Sequence, residues 1–333
     1  MKRNLIAIAK LIVLAAILYW LARSFPKENW EALRDQPKHW GLLSIALVTV
    51  TAANVVSFLR WRLLVKALGV PFSAIEAIRL GFLGCLFNLI SAGSVGGDLF
   101  KAIAAARQAE TKRPEVIGSV VVDRAMGLLG LVLVAAVSLQ FLGSGPLSQQ
   151  MDWIRRGAWL LSVIGLVTLA TVVIAGRFLP LHWLNQIPFM GRPLYRMAQA
   201  GLILDRKPTL MISMVLISVM VHSLLTFATF LISASLYQEH PTLSQHFLVI
   251  PPSMAAGALP LTPGGLGVQE MAIQKLFEQV PGVSTSFSGL ITAAMYRLMT
   301  FVVAGIGAIF YFYASNDLRK IVRTPTVDQE VPH

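Results

Sequence analysis

Long apolar runs separated by short polar loops set the pattern of this chain. Six of them, at 5–25, 40–64, 114–141, 153–174, 209–236 and 288–314, reach or pass the roughly 20 residues that a helix needs to cross a bilayer. Two further stretches are apolar but broken. The segment 73–107 carries Glu76, Arg79, the pair Gly96-Gly97 and Lys101, and 247–278 carries Pro251, Pro252, Pro260, Pro263, Gly264, Gly265 and Gly267. Prolines and glycines at this density interrupt a helix, and interrupted backbone at membrane depth is tolerated only beside protein or a water-filled cavity. Both stretches are therefore predicted to be re-entrant hairpins.

Composition agrees with a membrane. Over 333 residues the chain is 56% hydrophobic and 13% charged, with mean hydropathy +0.68, which excludes an ordinary soluble domain. The net charge of +12 raises the question of nucleic acid, but most Lys and Arg sit in short loops between apolar runs. Positive-inside bias and anionic lipid explain that distribution, so no nucleic-acid partner is expected. Cys85 is the sole cysteine, and no Cys/His cluster has metal-ligand spacing, so neither a disulfide nor a cofactor is expected. A signal peptide competes for 5–25, but Lys10 within the run and the poor cleavage context at Ala22-Arg23-Ser24 favour a retained anchor.

Charge then orients the spans. The loops 143–152, 237–246 and 281–289 contain no Lys or Arg and read as outside. The segment 176–207, with Arg177, Arg192, Arg196, Arg206 and Lys207, and the tail with Arg319, Lys320 and Arg323 read as cytoplasmic, as do 60–66 and 107–113. The first outside loop and Arg155-Arg156 dissent. The expected fold class is an all-α polytopic membrane protein of about six spanning helices plus two oppositely oriented re-entrant hairpins, in an inverted repeat. One membrane domain would cover 1–318, with a cytoplasmic tail over 319–333 and both termini inside. Inverted repeats place a transport site at their interface, near the midplane.

Ionisable residues inside spans cost about 2.5–3.5 kcal/mol each on insertion scales and demand a partner or a cavity. Asp123 and Arg124 follow the first hairpin, and Arg297 follows the second. One reading is structural, with the arginines pairing with Asp98 and Glu270. The other sets them in a cavity against an anionic group, for which the guanidinium fork suits phosphate. Gly96-Gly97-Asp98 and Pro263-Gly264-Gly265 could each start a half-helix whose free N–H groups favour an anion; close helix packing is the alternative use of the glycines. His222, Asn54 and Asn88 read as interhelical hydrogen-bonding groups, Glu76 and Arg79 as a pair on one helix face, and 181–197 as an interfacial segment.

The motifs NLISAGSVGGD (88–98), GSVVVDR (118–124), PLTPGGLGVQE (260–270) and Tyr296-Arg297 together resemble the lysylphosphatidylglycerol synthase transmembrane-region family of flippase-like proteins, from about residue 5 to 314. The resemblance implies a multi-pass domain of the cytoplasmic membrane that moves phospholipids or lipid-linked head groups between leaflets. By motif, its functional positions would be Gly96, Gly97, Arg124, Gly264, Gly265, Glu270 and Arg297. Lys101 and Gln269 stand where arginine is more usual. The full synthases add a soluble transferase domain, which makes a separate lipid-modifying synthase a candidate partner. The expected substrate-binding set is Gly96, Gly97, Asp98, Lys101, Asp123, Arg124, Pro263, Gly264, Gly265, Glu270 and Arg297, in a non-enzymatic lipid translocase. The competing classes are a membrane-embedded transferase, or accessory subunit, acting on a lipid carrier and a small-anion transporter.

Overall fold

A computed structural model describes residues 38–90, 96–109, 112–141, 149–178, 195, 207–259 and 267–313. All regular structure among them is helical: α1 (Trp40–Ala67), α2 (Ala74–Ile90), α3 (Gly96–Gln108), α4 (Arg113–Phe141), α5 (Gln149–Phe178), α6 (Pro208–Leu236), α7 (Leu243–Ala258), α8 (Val268–Phe277) and α9 (Gly289–Tyr313). Five of these, α1, α4, α5, α6 and α9, are long and apolar enough to cross a membrane. They match five of the six expected spans; the run 5–25, the segment 181–197 apart from Tyr195, and the tail 319–333 lie outside the described residues.

The two broken stretches form pairs of short helices. α2 and α3 have 17 and 13 residues, α7 and α8 have 16 and 10, each below the length of a span. α2 packs on α3, and α7 on α8. Pro251 and Pro252 do not end a helix as their type predicts; α7 runs through both, and Ser253 Oγ donates to the Val249 carbonyl 2.7 Å away. Capping begins the short helices. Ser73 Oγ accepts from Glu76 N while Glu76 Oε2 accepts from Ser73 N, and Thr242 with Gln245 repeats the box on α7. Glu76 is thus spent on its helix start, and the Nε of Arg79, its expected partner, has no hydrogen bond among the described residues.

Packing partners follow a pattern of exchange. With α1–α4 swapped for α6–α9, α2 on α9 becomes α7 on α4, α3 on α4 becomes α8 on α9, α1 on α2 becomes α6 on α7, and α1 on α6 maps to itself. Among the described helices only α5, which packs chiefly on α4, stands outside this exchange. Close crossings are made by glycine. A Cβ on Gly130 would lie 2.3 Å from Ser218 Cβ on α6, and one on Gly307 would lie 2.1 Å from the Phe82 carbonyl oxygen on α2. One large apolar cluster draws on α1, α2, α4, α5, α6, α7, α8 and α9, and a second, around Trp61, Leu80, Leu83 and Phe100, seals α1 against α2, α3 and the start of α4. Leu160, Leu161, Ile164 and Val167 on α5 face outward, as expected of a helix whose solvent is lipid.

Candidate functional site

A cavity of about 320 Å³ lies between the two sets of helices, within the size range of ligand sites. α1 contributes Asn54, Ser57 and Arg60, α3 Asp98 and Lys101, α4 Asp123 and Arg124, α6 His222, α7 Gly257 and α8 Gln269. Its wall therefore carries three cationic and two acidic side chains inside an otherwise apolar bundle.

Arg60 is the most constrained of these. Nε donates to Asp123 Oδ1 at 2.9 Å, Nη2 to Asp123 Oδ2 at 3.1 Å and to the Asp123 carbonyl at 3.2 Å, and Nη1 to Ser218 Oγ at 2.7 Å. The residue is 4% exposed and ties α1, α4 and α6 together. Its guanidinium lies across Gly127, where a Cβ would come 3.2 Å from Nη2. Such a bidentate pair offsets the desolvation of both charges only because nearly every donor is used.

A second set surrounds Asp98. Its carboxylate is bonded to Lys101 Nζ at 2.8 Å and Arg124 Nη1 at 3.3 Å. The Arg124 side chain stays 42% exposed, and Lys101 also lies 5.5 Å from the Trp61 ring centroid. In the other half Glu270 Oε1 accepts from Arg297 Nε at 2.7 Å, and Arg297 Nη2 donates to Gln269 Oε1 at 3.4 Å. Each short return helix thus presents a first-turn acid to the arginine of the long helix that follows it.

Four of the eleven expected residues are brought together at the cavity. Asp98, Lys101, Asp123 and Arg124 share the cavity wall. Glu270 and Arg297 are buried beside it and do not line it. Pro263, Gly264 and Gly265 lie outside the described residues. Gly96 opens α3, and Gly97 serves the crossing of α2 and α3, since its Cβ would sit 2.0 Å from the Gly84 carbonyl oxygen. The expected free N–H groups are partly engaged: Gly97 N donates to Asn88 Oδ1 and Gly267 N to Glu270 Oε2, both at 2.8 Å. Each helix also carries an acid in its first turn, Asp98 in α3 and Glu270 in α8, which offsets part of the positive helix end.

Arg60, Gln269 and His222 are among the wall residues that lay outside the expected set. Arg60, at the start of the segment 60–66 that the charge pattern read as cytoplasmic, is buried within α1, and its position inside an apolar run was the available signal. For Gln269 the signals were its place next to Glu270 and its standing where arginine is more usual. His222 behaves as expected of an interhelical group: its Nε2 is 3.1 Å from the Gly127 carbonyl, which fixes the proton on that nitrogen, and Nδ1 is buried without a partner among the described residues.

Five helices long and apolar enough to cross a membrane, in an all-helical arrangement, define a polytopic helical membrane protein. The chain belongs to the lysylphosphatidylglycerol synthase TM region family, whose model matches residues 7–307. No curated protein and no solved structure matches it.

Proposed function

We propose that this protein is a lipid translocase, without catalytic chemistry of its own, that carries the head group of a phospholipid or lipid-linked molecule between leaflets of the cytoplasmic membrane. The observation that carries the reading is the cavity, whose wall combines Arg60, Lys101 and Arg124 with Asp98 and Asp123 and draws on both sets of exchanged helices. In this reading the short helix pairs are re-entrant hairpins of opposite direction, and the packing exchange reflects an inverted repeat about a central site. With the run 5–25 as the sixth span, both termini are cytoplasmic and the basic segments lie inside. Lys101 and Arg124 draw the phosphate in, while Asp98 keeps the cations apart and meets any cationic part of the head group. Acyl chains stay in the bilayer. The family relates the chain to phospholipid handling, and a separate lipid-modifying synthase would be the natural supplier of cargo.

The test is dithionite quenching of a fluorescent phospholipid in vesicles containing the purified protein. Wild type is expected to move lipid above the rate of empty vesicles, and Arg124→Ala and Lys101→Ala to slow it. Equal rates in protein-containing and empty vesicles overturn the reading.

A further inference from the structure

Arg297 and Glu270 form a tight pair that does not reach the cavity, whereas Gln269, the neighbour of Glu270, does. A guanidinium can only donate. Its contact with Gln269 Oε1 therefore decides which way the carboxamide faces, with the oxygen toward Arg297 and the nitrogen away from it. The side chain also packs against Gly257 on α7, where an added Cβ would lie 2.8 Å from Gln269 Cβ and 3.3 Å from Oε1. Gln269 Nε2 has no hydrogen-bond partner among the described residues and is not among the sealed polar atoms. The second half thus offers the cavity a neutral, oriented N–H donor, where the first offers Lys101 and Arg124.

We propose that Gln269 is a head-group contact that donates to a phosphate oxygen, and that Arg297 is its positioning residue and does not touch the cargo. The ligand rests on the translocase reading; the same acceptor occurs in a soluble phosphate ester.

Gln269→Glu separates the two roles, since it keeps an oxygen for Arg297 but replaces the donor with an acceptor. The full chain is placed in phosphatidylethanolamine–phosphatidylglycerol vesicles with a fluorescent phosphatidylglycerol tracer. In parallel, its melting temperature in detergent is followed with and without glycerol 3-phosphate. Gln269→Glu is expected to slow lipid movement about tenfold, the cost of one lost hydrogen bond to a charged group, without lowering the melting temperature. Arg297→Lys is expected to slow it as well, and Arg297→Lys combined with Gln269→Ala to be no slower than Gln269→Ala alone, because the two act in series. Should Gln269→Glu fail to fold, Gln269→Met, of similar length and without donors, takes its place with the same slowing expected. Wild-type movement in these Gln269 variants, or losses that multiply in the double variant, overturns the proposal. If wild type moves no lipid but glycerol 3-phosphate raises its melting temperature and not that of Gln269→Glu, the contact stands and the lipid reading falls. If neither effect occurs in wild type, both fall.

Discussion

The Arg60 guanidinium and the Asp123 carboxylate meet edge to edge, Nε to Oδ1 at 2.9 Å and Nη2 to Oδ2 at 3.1 Å, although the two residues are 63 positions apart. Ser218 on α6 takes a third donor. One side chain therefore joins α1 and α4 to the opposite set of helices at the cavity wall.

Breaking that junction is expected to be costly. Asp123→Asn leaves Arg60 buried without its counter-ion and should destabilise the protein by about 3–5 kcal/mol. Arg60→Met combined with Asp123→Leu removes both charges and should be milder than Asp123→Asn alone. Denaturation of the detergent-solubilised protein, followed by tryptophan fluorescence, ranks wild type and the two variants.

Gly97 and Gly267 are expected to resist substitution for different reasons. At Gly97 the obstacle is steric, so Gly97→Ala should cost about 1–3 kcal/mol by forcing α2 and α3 apart. Gly267 has φ +82° with nothing within 4 Å of an added Cβ. Gly267→Ala should therefore cost about 1–2 kcal/mol of backbone strain alone, and Gly267→Asn less. If Gly97→Asn also recovered stability in thermal melts, the steric account would be wrong.

Capping of the short helices gives a third test. Ser73→Ala removes the hydroxyl that receives the Glu76 amide and should cost about 1 kcal/mol. Glu76→Gln keeps an oxygen for Ser73 N and should cost less. Were Glu76 acting through Arg79 instead, Arg79→Gln would be as harmful as Glu76→Ala; thermal melts of these variants decide.

His222→Phe removes one hydrogen bond to the Gly127 carbonyl and nothing from Nδ1, which has no partner among the described residues. A loss of about 0.5–1.5 kcal/mol is expected in the same denaturation assay. A much larger loss would mean that Nδ1 is engaged.

Local chemistry made much of this structure legible in the sequence. The prolines and glycines in 73–107 and 247–278 marked the helix pairs, and Asp123, Arg124 and Arg297 announced themselves by the cost of a charge within an apolar run, with Asp98 and Glu270 as their candidate partners. What stayed hidden depends on distance along the chain and on direction in space. Nothing near Arg60 names Asp123, and nothing near Gln269 reveals that Arg297 turns its amide. At the start of α3 a bond came from outside the motif's glycines, since Gly97 N donates to Asn88 Oδ1; Gly264 and Gly265 lie outside the described residues. Pro251 and Pro252 misled through propensity alone, because neighbours packed on α7 hold it helical.

The crosswise seating of α2 on α9 and of α7 on α4 has a consequence for biogenesis. As the ribosome releases the chain, α2 emerges more than 200 residues before its partner α9, so its apolar flank must wait in lipid or beneath a chaperone. A chain cut before residue 289 would leave α2 without α9, on which it packs.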